Sequence, residues 1–220
     1  MRLFIAPHRA DQDPACDHRT TDVQSRGHEV DRAMHHEQQT LTHSLSSDEV
    51  HIVVVADTHG RPHPALLARV TEQHPSLILH AGDIGTGPLL DELGAIAPVV
   101  AVRGNVDSRD LSLPDTVDLT VERPSQPRLR LLLTHIAIQR VYLTRSARNR
   151  AQAADAQLVV FGHSHMPFLG REGRFALFNP GAAGPRRFGL PITFGVFKLS
   201  PRGLDLHHVD LQTGGRWAPG

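Results

Sequence analysis

The sequence predicts an α/β fold in which two β-sheets pack against each other as layers of one sandwich, with helices beside them. Three observations lead to this fold class. From residue 50 onward the apolar runs are short and largely continuous, as in strands that are covered on both faces. Segments with leucine and valine at helical spacing separate the first three runs. The later runs are separated by glycine and proline turns, which are typical of antiparallel strands.

The individual elements follow from these patterns in chain order. Five apolar runs that lead into polar motifs predict strands over 50–56, 77–79, 99–102, 129–133 and 158–161. Helices are predicted over 64–74, 88–96 and 140–156, and the first two carry a proline where a first helical turn tolerates it. Further strands are predicted over 117–121, 168–171, 174–178, 192–199 and 204–210. We expect the late strands to form a second sheet that packs on the first.

Residues 1–49 differ in composition from the rest of the chain. They carry six of the 16 histidines among polar and charged residues, without an apolar period. Such a segment cannot bury enough apolar surface to offset its ordering entropy, so we expect a disordered arm, with a metal-binding tail as the alternative. The predicted domain spans 50–212, and 213–220 form a tail. Either Met1 or Met34 is the translational start.

The composition restricts the classes of partner. The 23 basic and 23 acidic side chains cancel, so no long-range field recruits nucleic acid or an anionic membrane surface. No apolar run approaches the roughly 20 residues that cross a bilayer. The single cysteine, Cys16, cannot form an internal disulfide, which fits a reducing compartment. We therefore expect a soluble cytoplasmic protein, and the sequence leaves a monomer and a homo-oligomer open.

Side chains that can bind a metal ion follow each of the five early strands. In open α/β sheets, ligands collect in the crevice beyond the carboxyl ends of the strands. If the backbone is still extended there, Asp57 and His59 point the same way, and so do His163 and His165. The candidate metal ligands are Asp57, His59, Asp83, Asn105, His135, His163 and His165.

Four imidazoles, two carboxylates and one carboxamide oxygen make up this ligand set. The mixture suits manganese, iron, nickel or zinc rather than calcium, which prefers an all-oxygen cage. Two ions about 3.5–4 Å apart can share a bridging carboxylate and stabilise the attacking and leaving oxygens of a displacement at phosphorus. Asp83, which is central in chain order, is the candidate bridge.

The order of the motifs along the chain is specific. The motifs are Asp57-Thr58-His59, Gly82-Asp83, Gly104-Asn105, Thr134-His135 and Gly162-His163-Ser164-His165. In this order they resemble the calcineurin-like metallophosphoesterase superfamily over roughly residues 50–210. The small size and the Asn179-Pro180-Gly181 turn are similar to its compact bacterial and archaeal phosphodiesterases, which have a eukaryotic retromer subunit as a relative. The resemblance implies a four-layer α/β/β/α sandwich.

The resemblance also implies a function. It implies a hydrolase of a small phosphate ester, first a phosphodiesterase, in which a hydroxide bridging two divalent ions is the nucleophile and manganese is the first choice of metal. It makes Asp83 the bridge and gives three ligands to each ion. The two sets are Asp57, His59 and His165, and Asn105, His135 and His163. The alternative is a catalytically weak metal-binding scaffold for protein–protein interaction, as in the retromer subunit.

Some residues at the motifs are candidates for more than metal binding. We expect Asp83, Asn105 and His135 to take part in catalysis, and Arg103 and Asn105 to bind substrate. Val106 stands where larger phosphatases of the superfamily have a histidine that protonates the leaving group, and valine has no proton to donate.

Four further residues have two readings each. Asp107 is a candidate for orienting a ligand imidazole, or else an exposed turn carboxylate. Arg186 and Arg187 follow the Asn-Pro-Gly turn and either meet a substrate phosphate or form a solvated pair. His80 is expected at the surface or beside the ligands.

Overall fold

The computed structural model describes residues 2–3, 37–85, 87–187 and 189–219. The strands within these residues are β1 (Arg2–Leu3), β2 (Gln38–Ser44), β3 (Val50–Val55), β4 (Leu77–His80), β5 (Val99–Ala101), β6 (Thr116–Arg123), β7 (Gln126–Thr134), β8 (Ile138–Gln139), β9 (Tyr142–Leu143), β10 (Leu158–Val160), β11 (Phe168–Glu172), β12 (Phe175–Asn179), β13 (Thr193–Ser200), β14 (Gly203–Asp210) and β15 (Arg216–Trp217). The helices are α1 (Leu66–Thr71), α2 (Pro88–Gly94) and α3 (Arg145–Ala153), with a 3-10 turn at Arg109–Leu111.

Every strand and helix predicted after residue 50 is present. The helices are shorter than predicted, and α3 begins five residues late because the β8–β9 hairpin occupies the start of the predicted segment. None of the described helices combines the length and the apolar character that a membrane crossing requires.

The first sheet contains the strands that lead to the first three motifs. Its strand order is β1-β14-β13-β3-β4-β5, and β15 pairs with β14. β3, β4 and β5 are parallel, with Ile52 opposite Leu77 and Ile78 opposite Val99. Parallel neighbours need a crossover, here carrying α1 and α2, so the carboxyl ends of these strands meet at one edge of the sheet.

The second sheet contains the strands that lead to the last two motifs. Its strand order is β11-β12-β10-β7-β6-β2. β10 is parallel to both of its neighbours, with Val159 opposite Leu132 of β7 and Leu177 of β12. The carboxyl ends of β7 and β10 therefore lie side by side.

Three clusters of buried apolar side chains separate four layers. Ile52 of β3 belongs to the cluster between the two sheets, whereas the next residue, Val53, belongs to a cluster with Leu66 of α1. On the second sheet, Val159 of β10 shares a cluster with Ala151 of α3. Both faces of each sheet are thus covered, as the continuous apolar runs predicted. The layer order is α/β/β/α, which confirms the predicted fold class.

The late strands do not form a sheet of their own, so this part of the prediction was wrong. β11 and β12 join the second sheet, where β12 pairs with β10, whereas β13 and β14 join the first sheet, where β13 pairs with β3. β7 and β10 in turn lie apart from the other early strands. Apolar patterning marks a buried strand but not its neighbour, because pairing joins segments that are distant in sequence.

Part of the predicted arm belongs to the second sheet. Gln38–Ser44 form the edge strand β2, which is parallel to β6, and Leu41 and Leu45 pack against the core between the sheets. The structure therefore differs from the predicted disorder in this segment. The side chains of β2 are mostly polar, but main-chain hydrogen bonds to β6 hold the strand in place. Residues 4–36 of the predicted arm lie outside the described residues.

The predicted tail also contains ordered chain. Arg216–Trp217 pairs with β14, and the ring of Trp217 lies edge-on to the ring of His208 with centroids 5.7 Å apart. This pairing extends the first sheet beyond residue 212.

Candidate metal centre

All seven candidate ligands lie at one edge of the sandwich, beyond the carboxyl ends of five strands. The preceding strands are β3 for Asp57 and His59, β4 for Asp83, β5 for Asn105, β7 for His135, and β10 for His163 and His165. Main-chain hydrogen bonds join these loops. The amide of Asp57 donates to the carbonyl of Gly82 at 3.0 Å, and the amide of Gly162 donates to the carbonyl of His135 at 3.1 Å.

Asp57, His59 and His165 form a first group, here named the inner group. The Nε2 atoms of His59 and His165 are 3.1 Å apart, and Oδ1 of Asp57 lies 3.5 Å from Nε2 of His165 and 4.0 Å from Nε2 of His59. The two imidazole rings stack with centroids 5.0 Å apart. One ligand atom from each residue lies within 4.8 Å of the other two, so the inner group can hold one ion.

Asn105, His135 and His163 form a second group, here named the outer group, around the Asn105 carboxamide. Oδ1 of Asn105 lies 3.0 Å from Nε2 of His135 and 2.9 Å from Nδ1 of His163. Nδ1 of His135 is 2.7 Å from the carbonyl oxygen of Ala81, which can only accept, so this nitrogen is the donor. In the neutral ring a proton on Nδ1 leaves the lone pair of Nε2 free for a metal ion.

Asp83 lies between the two groups. Its Oδ2 is 3.8 Å from Nε2 of His59, and its Oδ1 is 3.3 Å from Nε2 of His135. The amide of Val106 donates to the same Oδ1 at 3.1 Å. One carboxylate oxygen thus faces each group, which is the arrangement that a bridging ligand needs.

Buried polar atoms in the inner group fit a cation. Asp57 is fully buried, yet its Oδ1 has no hydrogen-bond partner within the described part of the chain, and neither has Nδ1 of His165. A buried carboxylate oxygen without a donor costs free energy that a bound cation offsets. The residues present therefore fit the borderline divalent metals that the ligand types indicate.

Burial and charge affect the two aspartates differently. Burial raises the pKa of Asp57 to about 7, against the opposing charge of His135. Burial also acts to raise the pKa of Asp83, but the hydrogen bond and the charge of His135 outweigh it and lower that pKa to about 2. Burial and the neighbouring His59 lower the pKa of His165 to about 4, so this imidazole is neutral at pH 7 and its lone pair is available.

The backbone is left-handed at five of the seven candidate ligands. Extended backbone was expected to aim the paired side chains, but left-handed turns aim them instead. Residues other than glycine rarely adopt positive φ, and such strain, of about 1–3 kcal/mol each, concentrates at functional sites. The φ angles are 55° at Asp57, 50° at His59, 53° at Asp83, 68° at His163 and 58° at His165.

Two glycines allow the motif loops to approach one another. A Cβ atom on Gly104 would lie 2.0 Å from Oδ1 of Asp83, and one on Gly82 would lie 2.7 Å from Nδ1 of His135. Gly82 also has a φ of 90°, which side chains disfavour. Any larger residue at either position would displace a candidate ligand.

Asp107 joins two motif loops and does not orient an imidazole, so the first reading of this residue was wrong. Its carboxylate accepts hydrogen bonds from the amides of Ile84 at 3.1 Å, Gly85 at 2.8 Å and Gly104 at 2.8 Å. The bonds from Ile84 and Gly85 hold the loop after β4 against the loop after β5, and the bond from Gly104 closes the loop after β5 on itself. Asp107 is therefore a positioning residue.

The role of Asn179 was missed in the sequence. Its side chain is fully buried, and Nδ2 donates to the carbonyl of Gly162 at 2.7 Å and to Oγ of Ser164 at 3.1 Å. Its Oδ1 accepts from the amide of Gly181 at 2.9 Å. Asn179 thus supports the Gly-His-Ser-His loop from behind. The Asn-Pro-Gly turn was the available signal, but it served only to indicate a subgroup of the superfamily.

His80 is buried behind the first two motifs. The hydroxyl of Thr58 donates to the carbonyl of Ile84 at 3.0 Å, so it accepts from Nε2 of His80 at 3.2 Å. Burial lowers the pKa of His80 to about 4, which keeps the ring neutral at pH 7. Of the two readings for His80, the structure supports the one beside the ligands.

Arg103 is held by an ion pair next to the site. Its Nε and Nη2 donate to Oδ1 of Asp115 at 2.9 and 2.6 Å, and the side chain is only 10% exposed. Its contribution to substrate binding remains a prediction.

Arg186 and Arg187 differ in the groups on which they act. Arg186 donates to Oε1 of Gln212 at 2.6 Å, whereas Arg187 is exposed and its positive charge acts to lower the pKa of Asp57 and of His165. The amide of Ala183, four residues earlier, donates to the carbonyl of Ala56 at 2.9 Å and anchors this loop beside the first motif. The reading in which Arg187 meets a phosphate therefore gains support.

The site opens at two ligands of the outer group. Asn105 and His163 are exposed, whereas Asp57, Asp83 and His135 are buried. A cavity of about 790 Å³ begins at Asn105 and His135 and continues toward α3. The opening of the site therefore lies on the side of the outer group.

Comparisons with known proteins give similarities in sequence. Residues 50–202 match the calcineurin-like phosphoesterase superfamily domain. A probable metallophosphoesterase of Methanothermobacter thermautotrophicus is 30% identical over 138 residues, which cover 60% of this chain and 76% of that protein. A probable metallophosphoesterase of Methanocaldococcus jannaschii is 27% identical over 144 residues, which cover 60% of this chain and 67% of that protein.

Several solved structures share the fold. Vps29 from Cryptosporidium parvum has a TM-score of 0.61 at 18% identity and covers 78% of this chain and 96% of its own. Vps29 from Entamoeba histolytica, in complex with zinc, has a TM-score of 0.58 at 20% identity and covers 76% of this chain and 96% of its own. The phosphoesterase YfcE from E. coli has a TM-score of 0.50 at 24% identity and covers 76% of this chain and 97% of its own. At these identities the likeness shows the fold alone.

Proposed function

This chain belongs to the calcineurin-like phosphoesterase superfamily, and from that premise we propose that it is a phosphodiesterase that depends on two divalent metal ions. The proposed substrate is a small phosphate ester, and manganese is the first choice of metal.

The convergence of the seven candidate ligands on one centre carries this proposal. The inner and outer groups each offer three donors, and Asp83 presents one carboxylate oxygen to each group. A shared carboxylate between two sets of donors argues for two ions rather than one. The unpartnered Oδ1 of Asp57 supports a cation in the inner group independently.

The chain's own residues have distinct tasks in this proposal. When bound, the two ions would supply Lewis-acid stabilisation of the phosphate and a nucleophile at neutral pH. Asn105 lies at the opening, where its amide group can donate to a phosphate oxygen, and Arg187 supplies positive charge on the side of the inner group. Asp83 and His135 would hold the centre, and Arg103, which an ion pair with Asp115 fixes two residues before Asn105, would help to bind the substrate.

A metal analysis followed by a paired assay tests the proposal. We expect purified protein to hold two divalent ions per chain, and manganese to restore turnover after exhaustive chelation. Bis(p-nitrophenyl) phosphate should be hydrolysed faster than p-nitrophenyl phosphate, because the proposed substrate is a diester. Turnover that survives chelation would refute the metal requirement, and a preference for the monoester would refute the diesterase assignment.

A metal-binding scaffold for another protein is the second candidate function. The observation in its favour is the exposure of Val106, Ile136 and Met166 beside the ligands, since apolar surface often marks an interface. The same assay separates the two functions. A scaffold would bind the ions but hydrolyse neither ester.

A further inference from the structure

Exposed apolar side chains are concentrated at the candidate metal centre. Across residues 37–85, 87–187 and 189–219, the large apolar side chains with high exposure are Val106, Ile136, Val141, Tyr142 and Met166. Three of them directly follow a candidate ligand in sequence, and adjacent Cα atoms are only about 3.8 Å apart. These three, Val106, Ile136 and Met166, are here named the apolar rim.

Two residues of the rim, Val106 and Ile136, lie at the open side of the centre. Val106 is 55% exposed and follows Asn105, one of the two exposed ligands. Ile136 is 46% exposed and lines the cavity that begins at Asn105 and His135. The amide of Val106 donates to Asp83, so the backbone of the rim is fastened to the bridging carboxylate. A group attached to a phosphate at the centre would therefore leave it beside Ile136, and Val106 lies next to the exposed ligand Asn105.

We propose that the apolar rim binds an aryl or similarly bulky apolar substituent of the phosphate ester. This inference rests on the proposed function, because the phosphate must sit at the metal ligands for its substituent to reach the rim. An apolar substituent would remove Val106 and Ile136 from water, and that burial stabilises the complex. A strongly polar substituent would lose hydration there, since these side chains offer it no hydrogen bonds.

Non-hydrolysable phosphonates test the proposal by binding rather than by turnover. Isothermal titration of the manganese-loaded protein with phenylphosphonate and with methylphosphonate compares two ligands that differ only in the substituent. Burying most of one face of a phenyl ring corresponds to about a tenfold or larger gain in affinity over methyl. We expect this gain in the wild-type protein.

Substitutions locate the contact. Val106→Ser and Ile136→Ser should each reduce the preference for phenyl about threefold or more, while the affinity for methylphosphonate stays near that of the wild type. Val141→Ser is the matched control, because Val141 is also an exposed valine but lies six residues beyond the nearest candidate ligand in sequence. It should keep the full preference.

Each outcome bears on one of the two proposals. Equal affinity for the two phosphonates would overturn the apolar subsite and leave the proposed function standing. A phenyl preference that survives both rim substitutions would overturn the assignment to the rim. If the loaded protein binds neither phosphonate and hydrolyses no ester, the proposed function fails and this inference fails with it.

Discussion

The inner and outer groups of the centre differ in how far they are withdrawn from water. In the inner group Asp57 and His165 are buried, and Asp57 carries an oxygen without a partner among the described residues. In the outer group Asn105 and His163 are exposed, and Asn105 directly precedes Val106 of the apolar rim. This difference in burial fits different roles for the two groups. In the proposed function, the inner group holds an ion, whereas the outer group also contacts the substrate.

The largest expected effect comes from breaking the link between the two groups. Asp83→Ala should lower the metal content from two ions per chain to fewer than one, because the carboxylate supplies charge to both ions. Turnover should fall about a thousandfold, since each ion contributes several kcal/mol to transition-state stabilisation. Mass-spectrometric metal analysis of each purified variant provides the measurement.

Asn105→Ala is the matched variant for the outer group. A neutral carboxamide serves one ion, so this variant should keep more metal than Asp83→Ala while losing turnover. Equal metal loss in the two variants would speak against Asp83 as the bridge.

A smaller effect, on the stability of the metal-free protein, is expected from the buried carboxyl of Asp57 in the inner group. In the metal-free protein, burial raises the pKa of Asp57 from its ordinary value of 3.8 to about 7, so the carboxyl keeps its proton up to about that pH. Its contribution to stability is therefore full below pH 3.8 and is lost as the pH rises to about 7. Asp57→Asn removes this loss, so above pH 7 the metal-free variant should be about 1–4 kcal/mol more stable than the wild type.

Thermal melts of metal-free protein between pH 4 and pH 8 test this effect. The advantage of Asp57→Asn should be small at pH 4 and should grow up to pH 7. Asp91→Asn, which changes an exposed aspartate on α2, is the control and should show no such trend. With manganese added the order should reverse, because only the wild type gains stability from the bound ion. An advantage that does not depend on pH would mean that Asp57 carries no buried charge.

Val106, which follows Asn105 of the outer group, allows a test of how the leaving group is protonated. Without a proton donor at this position, the rate should fall steeply across a series of phenyl phosphodiesters as the leaving-group pKa rises. General acid catalysis typically contributes about a hundred- to ten-thousandfold, and Val106→His should recover part of it, on the order of tenfold, for the most basic leaving groups. A flat dependence in the wild type, with chemistry rate-limiting, would show that another residue donates the proton.

The smallest expected effect concerns β2, which lies on the side of the outer group. Gln38 lines the cavity there and accepts a hydrogen bond from Arg150 at 2.5 Å. Two truncated proteins, starting at residue 37 and at residue 50, differ only by the segment that contains β2. The shorter protein should be less stable by about 1–2 kcal/mol and should bind substrate less tightly, with its metal content unchanged. Identical melting temperatures would mean that residues 37–49 add nothing to stability, as expected of a disordered arm.

The chemistry of the centre could be predicted from the sequence because it depends on local signals. Continuous apolar runs mark strands that are buried on both faces, and the residue types that follow Val55, His80 and Ala101 identify donors for metal ions. The carboxyl ends of parallel strands meet at one edge whatever the details of packing. The candidate ligands, the α/β class and the family resemblance therefore needed no coordinates.

The roles of residues with distant partners could not be predicted in this way. Asp107 accepts hydrogen bonds from the amides of a loop more than 20 residues away in sequence, and Arg103 donates a hydrogen bond to Asp115. Asn179 supports a loop through Ser164, which lies 15 residues before it in sequence. A single side chain shows its hydrogen-bonding capacity in the sequence, but only the folded chain selects its partner.

The sequence by itself determined which atoms can bind metal and in what order they occur along the chain. Only the tertiary structure decided how the late strands divide between the two sheets, and that left-handed turns aim the ligands. It also decided that the apolar residues after the ligands remain exposed. The physical reason is range: apolar periodicity and side-chain chemistry are properties of short segments, whereas strand pairing, backbone strain and burial depend on contacts between segments far apart in the chain.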